Sequence, residues 1–410
     1  MAERRIALTG AGVISPLALS FQEFHRALCE ARPGIRRLPP DIAQGSGVQV
    51  GATIDWPAST HFKEAESANL DRASQFALVA ASQAIAASGI DAAGNRERFG
   101  VYWGTGLGGA STLETAYKQV YGAGEWRLRP LTVVMGMNNA AGSNVAVRHG
   151  LRGPFANFAT ACSSSAMALG EAMHVIRSGR ADAMVAGGSE ALLVPGTLAA
   201  WQALRTLAAA DAADPAASCK PFDKRRAGLV LGEGAAAFVL EEESHARSRG
   251  APILALLTGY GNSCDAVHMS RPDRDGQVRA MRAALEEAAL APDAIGYINA
   301  HGTATSVGDV VESEAINAVF GPAAEAVPVS STKSLHGHLL GGAGALEFAA
   351  ALLPLLRGVL PPTAFLDQPD PACKLRHVPK EAQQVAPPRA VMSNSFAFGG
   401  SNVVLIAERV

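Results

Sequence analysis

The sequence predicts an α/β protein made of two similar halves, stacked in five layers of helix, sheet, helix, sheet and helix. Three observations lead to this fold class. Several strand segments, such as residues 181–189, are apolar without polar alternation, which is typical of parallel sheets covered on both faces. Alanine-rich segments with helical periodicity lie between these strands. The order of segments in the first half then recurs in the second half, which indicates an internal duplication.

The first half begins with a strand and a glycine turn, Gly10-Ala11-Gly12. Ser15 stands where a dinucleotide-binding loop has its third glycine, so this turn does not predict nucleotide binding. The elements predicted for this half are a strand at 6–12, a helix at 70–88, a strand at 99–104, a helix from 112, a strand before Cys162, a helix at 166–176, and strands at 181–189 and 229–240.

The second half repeats this order. The predicted equivalences are 253–261 with 6–12, 295–300 with the strand ending at 104, 327–332 and the helix after 341 with the Cys162 strand and helix, and 402–408 with 235–241. We therefore divide the chain into an N-terminal half, 1–250, and a C-terminal half, 251–410. The functional site is expected where the corresponding loops of the two halves meet.

Composition excludes several classes of function. The formal net charge of the 410 residues is −2, which gives no overall attraction to nucleic acid. No run approaches the twenty or so apolar residues that cross a bilayer, and the start lacks a signal-peptide pattern. The five cysteines are scattered and form no C-x-x-C pair, which argues against a disulfide framework or a zinc site. We expect a cytoplasmic protein that binds neither membrane nor metal.

Cys162 is the first candidate catalytic residue. It stands between a short apolar segment and a predicted helix, in the run Thr160-Ala161-Cys162-Ser163-Ser164. Free backbone N–H groups and the helix dipole at such a turn favour the thiolate, which is the nucleophilic form of cysteine. The alternative interpretation is a small buried hydrophobic residue, which is what a cysteine among alanines commonly is.

Three polar side chains of the second half are candidates to work with that cysteine. His301 follows a predicted buried strand directly, and Lys333 and His338 occupy the equivalent end of the repeat. Taken alone, His301 is either a catalytic group or a buried core histidine. Phe398 stands beside the glycine turn Gly399-Gly400, for which the structural alternative is a hairpin packed on the core.

With these motifs together, the chain resembles the β-ketoacyl-(acyl carrier protein) synthases of the thiolase superfamily, and the elongating type I/II enzymes in particular. The resemblance extends from residue 6 to the end. The matching motifs are Thr160-Ala161-Cys162-Ser163-Ser164, Pro221-Phe222-Asp223, His301-Gly302-Thr303-x-Thr305-x-x-Gly308-Asp309, Lys333-Ser334-x-x-Gly337-His338 and Gly399-Gly400-Ser401-Asn402. The Cys-His-His set is similar to that of elongating rather than initiating synthases. The resemblance implies a thiolase-like fold.

The resemblance also implies a decarboxylative Claisen condensation. Cys162 would take an acyl chain from a carrier protein, while the backbone N–H groups of Cys162 and Phe398 hold the oxyanion. His301 and His338 would stabilise the enolate formed when malonyl-carrier protein loses carbon dioxide. No metal or redox cofactor is needed, because the reaction supplies its own carbanion. The phosphopantetheine arrives on the carrier protein.

Supporting roles follow from the same resemblance. Lys333 would orient the histidines, with Glu347 as its buried partner. Thr303 and Thr305 would bind the pantetheine arm, Phe398 would gate the site, and Leu107 and Trp201 would line the acyl pocket. The candidates for docking the acidic carrier protein are Arg205, Lys63, Arg127 and Arg129.

This sequence departs from the family pattern at three places. Ala397 precedes the gating Phe398 where glycine is usual, and Ser165 follows the nucleophile where glycine is frequent. Because alanine reaches positive φ less easily than glycine, we expect Ala397 to restrict the motion of the gate. Residues 67–69 contain no basic side chain, so carrier-protein docking is expected to differ there.

Several alternatives stay open. The resemblance implies a homodimer with Met135 and Met137 near its interface, but this chain is alternatively the catalytic half of a heterodimer with a chain-length factor. The pathway is either fatty acid elongation or a type II polyketide or polyene pathway. A non-catalytic chain-length subunit would lack Cys162. A degradative thiolase would need a second cysteine near the C-terminal loops, and Cys373 lies outside the Gly399-Gly400 motif.

Overall fold

The computed structural model describes residues 4–90 and 95–410, which form one large sheet and two small ones. The strands are β1 (Ile6–Ile14), β2 (Arg36–Arg37), β3 (Val50–Gly51), β4 (Phe99–Gly104), β5 (Phe155–Phe158), β6 (Ala183–Glu190), β7 (Gly234–Glu242), β8 (Ala255–Cys264), β9 (Ile295–Asn299), β10 (Pro328–Ser330), β11 (Val359–Leu360), β12 (Arg376–His377), β13 (Gln383–Gln384), β14 (Ala390–Phe396) and β15 (Ser401–Glu408).

The α-helices alternate with the strands of the large sheet, as an α/β fold requires. They are α1 (Phe21–Cys29), α2 (Pro40–Ala43), α3 (Ala58–His61), α4 (Glu64–Ser67), α5 (Arg72–Ser88), α6 (Ala110–Tyr117), α7 (Thr132–Gly136), α8 (Ala140–His149), α9 (Ser164–Arg177), α10 (Pro195–Ala203), α11 (Glu243–Ser248), α12 (Arg274–Glu287), α13 (Gly308–Phe320), α14 (Lys333–His336) and α15 (Ala343–Arg357).

The strand order of the large sheet shows the duplication directly. The order is β12-β10-β9-β14-β15-β8-β1-β7-β6-β4-β5, and the halves are joined where β1 pairs with β8. Outward from that junction, β1-β7-β6-β4-β5 and β8-β15-β14-β9-β10 have the same chain order. The two duplicated α/β halves predicted from the sequence are therefore confirmed. The exact boundary at residue 250 stays a prediction.

The predicted parallel sheet is wrong, because the sheet is mixed. In the first half β7 runs antiparallel to both β1 and β6, while β4 runs parallel to β5 and β6. The second half repeats these directions, with β15 in the place of β7. Apolar residues on both faces show that a strand is covered twice, but they carry no information about its direction.

The packing shows the five predicted layers, in which the two halves of the large sheet form the two strand layers. Helices α9 and α15 contact each other and strands of both halves, so they form the middle layer. Helices α5 and α8 cover the first half from outside, and α12 and α13 cover the second. The middle layer matters for the site, because Cys162 immediately precedes α9 and Glu347 lies on α15.

Local sequence explains where the outer helix α5 begins and ends. The Asp71 side chain accepts a hydrogen bond from the Ala73 N–H at the start of the helix, which satisfies a backbone donor that the first turn leaves free. Gly89 ends the helix in the left-handed conformation, with φ +64°, which glycine adopts without steric cost. The predicted helix at 70–88 is confirmed within two residues.

Within the described residues, one segment has the length and composition of a membrane span. Residues 340–357, which include α15, have a mean hydropathy of 1.3, but 89% of that window is buried inside the protein. The helix is apolar all round because it packs against both halves in the middle layer. Its hydrophobicity is therefore explained by the core.

Ser165, one of the departures from the family pattern, joins the two middle helices. Its hydroxyl accepts a hydrogen bond of 2.9 Å from the N–H of Ala345, in the first turn of α15. This N–H has no acceptor within its own helix, so the serine supplies one. The side chain fits because Gly104 and Gly188 lie against it. Ser165 thus fixes the helix after Cys162 to the helix that carries Glu347.

Candidate active site

Cys162 lies in a tight turn between an edge strand and a central helix. The turn is a 3₁₀ helix, Ala161–Ser163, which follows β5 and leads directly into α9. Ala161 has a φ of +50°, and the Ser164 hydroxyl donates to the Ala161 carbonyl at 2.7 Å. The predicted position of Cys162, at the start of a helix, is confirmed. Only 4% of the residue is exposed.

Cys162 is at the inner end of a cavity of about 470 Å³ that both halves line. The cavity also contains His301, His338, Thr303 and Thr305. The Thr303 and Thr305 hydroxyl oxygens are 3.1 Å apart, and Thr305 is only partly buried, so the two hydroxyls follow the cavity from the buried histidines towards its mouth. A cavity of this kind lets a linear chain reach a buried thiol.

The two histidines face the thiol. The Nε2 atom of His338 lies 3.0 Å from Sγ of Cys162. The rings of His301 and His338 are 5.3 Å apart and nearly perpendicular. One nitrogen from each ring and Sγ lie within 4.8 Å of one another. The Cys-His-His constellation predicted from the motifs therefore exists as a spatial cluster.

Lys333 and Glu347 form a buried ion pair behind the histidines. Nζ of Lys333 lies 2.6 Å from Oε1 of Glu347, and each side chain is only 1% exposed. The same ammonium donates to the His301 carbonyl and lies 3.4 Å from Nδ1 of His301. Because an ammonium can only donate, Nδ1 is the acceptor and the ring proton is on Nε2. The predicted partnership of Lys333 with Glu347 is present in the structure.

Glu312 fixes the backbone that carries His301. Its carboxylate accepts hydrogen bonds from the N–H groups of His301 at 2.8 Å and Gly302 at 2.7 Å, and from Asn394 at 3.2 Å. Sequence analysis missed this residue, because nothing in the sequence connects position 312 with position 301 before the fold is known. The signal that could have revealed Glu312 is its carboxylate on the buried face of a helix, because such a group needs hydrogen-bond partners.

The histidines are neutral at physiological pH. Burial, together with the nearby charge of Lys333, holds the pKa of both His301 and His338 well below the ordinary value of 6.5. Burial also raises the pKa of the Glu347 carboxyl to about 7, against the opposing effect of Lys333. Two neutral imidazoles beside a thiol are suited to donating hydrogen bonds to a developing negative charge.

The thiol departs from the sequence expectation of a favoured thiolate. Burial raises the pKa of Cys162 to about 12, although the Lys333 charge and backbone hydrogen bonding at Phe398 and Cys162 act in the opposite direction. The helix start predicted from the sequence is present, but desolvation of the charged form outweighs its effect. The resting residue is therefore a thiol.

This protonation state has a measurable consequence. We expect alkylation of Cys162 by iodoacetamide to accelerate about tenfold per pH unit from about pH 6 to pH 9, because the thiolate fraction rises tenfold per unit below the pKa. Peptide mass spectrometry after timed quenching resolves Cys162 from the other four cysteines. A rate that levels off near pH 7 would indicate a preformed thiolate and contradict this expectation.

Phe398 and Trp201 lie together beside the thiol. Their ring centroids are 5.9 Å apart, and Trp201 packs against the apolar cluster that contains Cys162. Phe398 itself lines the cavity, whereas Trp201 is not among its lining residues, so the role of Trp201 in the acyl pocket stays a prediction. Ala397 has an extended backbone, with φ −114°, and the positive φ values of this loop belong to Gly399 and Gly400. Alanine at 397 is therefore unstrained in this conformation, and its effect on gate motion stays a prediction.

Leu107 is exposed and does not line this cavity. Its exposed fraction is 43%. The loop that carries it lies against residues 135–138, on the side of the molecule where Phe155 of the edge strand β5 is also exposed. The role of Leu107 in lining the acyl pocket stays a prediction.

The four candidate docking residues are all exposed, but only Arg205 lines the mouth of the cavity. Lys63, Arg127 and Arg129 lie outside it, and Arg129 donates to the Ala68 carbonyl at 2.9 Å. Arg271, which sequence analysis missed, is a second exposed arginine at the mouth. It lies on the loop after β8, which meets the Gly400 turn because Ser401 pairs with Cys264.

Sγ of Cys162 and the imidazoles of His301 and His338 are of types that zinc binds. The ammonium of Lys333 beside His301 opposes a second cation there. The expectation of a metal-free site stays a prediction.

Fold and site together define a class of protein. Duplicated α/β halves place a nucleophilic cysteine before a central helix, with two neutral histidines opposite it, as in condensing enzymes with the thiolase-like fold. Comparison with protein families agrees. Residues 3–246 match the model "Beta-ketoacyl synthase, N-terminal domain" and residues 254–367 match "Beta-ketoacyl synthase, C-terminal domain".

Similar proteins extend over the whole chain. Nodulation protein E of Rhizobium meliloti is 40% identical over 412 residues, and the 3-oxoacyl-[acyl-carrier-protein] synthase 2 of Coxiella burnetii is 38% identical over 414 residues. Each alignment covers 100% of both chains. The chain belongs to the β-ketoacyl synthase family and is an acyltransferase of the condensing class.

Solved structures show the same fold in larger assemblies. The ishigamide ketosynthase/chain length factor superposes with a TM-score of 0.91 at 34% identity. A type II polyketide synthase acyl-carrier protein in complex with its ketosynthase superposes with a TM-score of 0.90 at 29% identity. Each covers 100% of this chain and of the matched chain. Ketosynthases similar to this protein therefore occur with a carrier protein and with a chain-length factor.

Proposed function

We propose that this chain extends a cysteine-bound acyl group by two carbons, using malonyl-carrier protein. The observation that supports this most strongly is the cluster of Sγ of Cys162 with the imidazoles of His301 and His338 at the inner end of one cavity. A nucleophile makes an acyl-enzyme, and a pair of hydrogen-bond donors beside it stabilises an enolate. One site thus supports both half-reactions.

The first half-reaction transfers the acyl group. Sγ of Cys162 attacks the thioester carbonyl, the bond to the pantetheine sulfur breaks, and the thiol proton ends on that sulfur. The transient oxyanion is held by the backbone N–H groups of Cys162 and Phe398, whose hydrogen bonding already acts on Sγ. His338 lies at 3.0 Å, and its Nε2–H stabilises the negative charge that grows on sulfur.

The second half-reaction forms the carbon–carbon bond. The carboxylate of the malonyl group leaves as carbon dioxide, and its bonding electron pair becomes the enolate. The Nε2–H groups of His301 and His338 donate to the enolate oxygen. The carbanion attacks the acyl-enzyme carbonyl, the bond to Sγ breaks, and a proton from solvent restores the thiol.

The proposed substrate path uses the hydroxyls and cations of the cavity. Thr303 and Thr305 lie where the amide groups of a pantetheine arm would pass. Arg205 and Arg271 are exposed at the mouth, so they suit an acidic carrier protein. Lys63, Arg127 and Arg129 are proposed as further contacts outside the cavity. The arm comes with its carrier, and we propose that the protein needs neither cofactor nor metal.

Trp201 is proposed to limit the acyl chain, since its ring packs against Phe398 and against the apolar cluster that contains Cys162. We expect Trp201→Ala to shift the preferred acyl donor towards longer chains, because removing the indole opens space next to the thiol. Acylation rates across a series of acyl-carrier donors, saturated and unsaturated, measure this preference. An unchanged length profile in the folded variant would contradict the role.

A dimer is proposed through the edge strand β5. This strand ends the large sheet, so its outer backbone groups have no partner strand in the described chain, and an edge of this kind readily pairs with a second copy. Exposed apolar side chains occur nearby, including Leu107, Met137 and Phe155, whereas Met135 is buried. Light scattering should give twice the chain mass, and a monomer at micromolar concentration would contradict the proposal.

A heterodimer is the second candidate, because the ishigamide ketosynthase/chain length factor aligns over the full chain at 34% identity. In that case this chain is the catalytic half, since it carries Cys162. The pathway is fatty acid elongation or a type II polyketide or polyene pathway, and we propose that it operates in the cytoplasm.

The test of the proposed function is intact-protein mass spectrometry. The purified chain is mixed with a panel of acyl-carrier proteins and then with malonyl-carrier protein. We expect a mass gain equal to one acyl group, followed by its loss with release of carbon dioxide and a β-ketoacyl-carrier product. Absence of acylation by every donor, with the protein folded, would contradict a self-sufficient synthase.

A further inference from the structure

Glu190, the last residue of β6, is a buried carboxylate that the mechanism does not use. It is 0% exposed and does not line the cavity. Its Oε2 atom accepts from the N–H groups of Gly106 at 2.6 Å and Gly341 at 3.0 Å. Its Oε1 atom accepts from the Leu107 N–H at 3.2 Å and the Thr105 hydroxyl at 3.3 Å. No cationic side chain in the described residues pairs with it.

A carboxylate without a cation is costly to bury, so its hydrogen bonds must offset that cost. Here they come from two separate loops, 105–107 and the turn at Gly341. A carboxylate offers acceptors on both oxygens, which no other side chain of this length does. Burial raises the pKa of Glu190 to about 7, while the hydrogen bonds from Gly106, Leu107, Gly341 and Thr105 lower it.

The Gly341 turn leads directly to the catalytic groups. Leu340 has a φ of +46°, a conformation that is unfavourable for a non-glycine residue and persists only where neighbours enforce it. The Leu340 side chain packs in the apolar cluster that contains Cys162. Two residues earlier, His338 contacts Sγ of Cys162.

The backbone around Glu190 leaves little room to move. A Cβ atom on Gly341 would lie 2.2 Å from the Gly106 nitrogen. A Cβ atom on Gly106 would lie 2.7 Å from Oε2 of Glu190 and 2.8 Å from the Leu340 side chain. Gly106 and Gly341 therefore lie in contact with each other, and the Glu190 carboxylate accepts hydrogen bonds from both loops at that contact.

We propose that Glu190 is a positioning residue that holds Leu340 in its left-handed conformation and thereby keeps His338 against Cys162. The catalytic consequence rests on the proposed condensing function, whereas the structural consequence does not. Glu190 does not line the cavity that the pantetheine arm would occupy. It therefore acts on the reacting groups and leaves the binding of carrier protein unchanged.

The test is Glu190→Gln in the full-length protein. The amide keeps the shape but replaces one acceptor oxygen by an NH₂ donor, which faces backbone donors. We expect kcat for condensation to fall at least about tenfold, while KM for malonyl-carrier protein changes less than about threefold. A second readout is the NMR spectrum of protein labelled with ¹⁵N-histidine, with His338 assigned through His338→Asn. We expect its ring resonances to shift and those of His25 to stay.

Glu241→Gln is the matched control. Glu241 is also fully buried and accepts hydrogen bonds from Thr9 and Arg249. Because these partners belong neither to the 105–107 loop nor to the Gly341 turn, kcat and the His338 resonances should stay. If Glu190→Gln does not fold, Gly106→Ala displaces the same carboxylate and should give the same pattern. An unchanged kcat and unchanged His338 resonances in a folded variant would overturn the proposal. If wild type condenses nothing, the proposed function fails and the resonances still test Glu190.

Discussion

Cys162→Ala is expected to abolish acyl-enzyme formation and to lower condensation by at least about 10⁴-fold, because no other thiol lines the cavity in the described part of the chain. Decarboxylation of malonyl-carrier protein should persist, since His301 and His338 remain to stabilise the enolate. The two half-reactions are thus separable. Intact mass measures the first, and release of labelled carbon dioxide measures the second.

Cys219→Ala provides the control for this experiment. Cys219 is buried to the same degree as Cys162, and burial likewise raises its pKa to about 12, but it does not line the cavity. This variant should acylate like wild type. Acylation of Cys162→Ala, or equal loss of both half-reactions in a folded protein, would contradict the assignment of Cys162 as the nucleophile.

Periodicity predicted most of the fold. The strand at 99–104 matches β4, and the helix at 166–176 lies within α9. The duplication was visible because four strands of the first half have counterparts in the same order in the second. Strand direction was not predictable, since β7 returns between β1 and β6 by a long connection that leaves no periodic signal.

The central site residues were predictable because each stands at the end of a buried strand or the start of a helix. His301 follows β9, and Lys333 begins α14 just after β10. The order of the family motifs along the chain then predicted that these residues lie close to Cys162. Side chains whose positions depend on the joining of distant segments were not predictable, and Arg271 and Glu190 belong to this group.

The protonation state of Cys162 was also not predictable from the sequence. The turn at Cys162 predicted a favoured thiolate, yet burial dominates and raises the pKa. Position at a helix start is a local property, whereas desolvation depends on everything that packs over the thiol. Leu107 illustrates the same limit, because its exposed fraction of 43% depends on how its loop packs, which the local sequence does not show.

The buried pair Lys333–Glu347 should show the largest effect on stability. We expect Glu347→Leu to lower the free energy of unfolding by about 3–5 kcal/mol, because it leaves the ammonium of Lys333 buried without a carboxylate. The double variant Lys333→Met, Glu347→Leu should recover most of this loss, since two apolar side chains of similar volume replace the pair. Guanidinium unfolding of the single and double variants measures both quantities.

The double variant should regain stability without regaining condensation activity. Lys333 holds the proton of His301 on Nε2 by donating to Nδ1, so the double variant loses the oriented donor and should stay at least about 100-fold below wild type in condensation. Arg389→Met is the control, because the Arg389 side chain is 68% exposed in its pair with Glu408 and should contribute less than about 1 kcal/mol. A double variant that is stable and fully active would show that the pair serves packing alone, because the charge would then be dispensable for orienting His301.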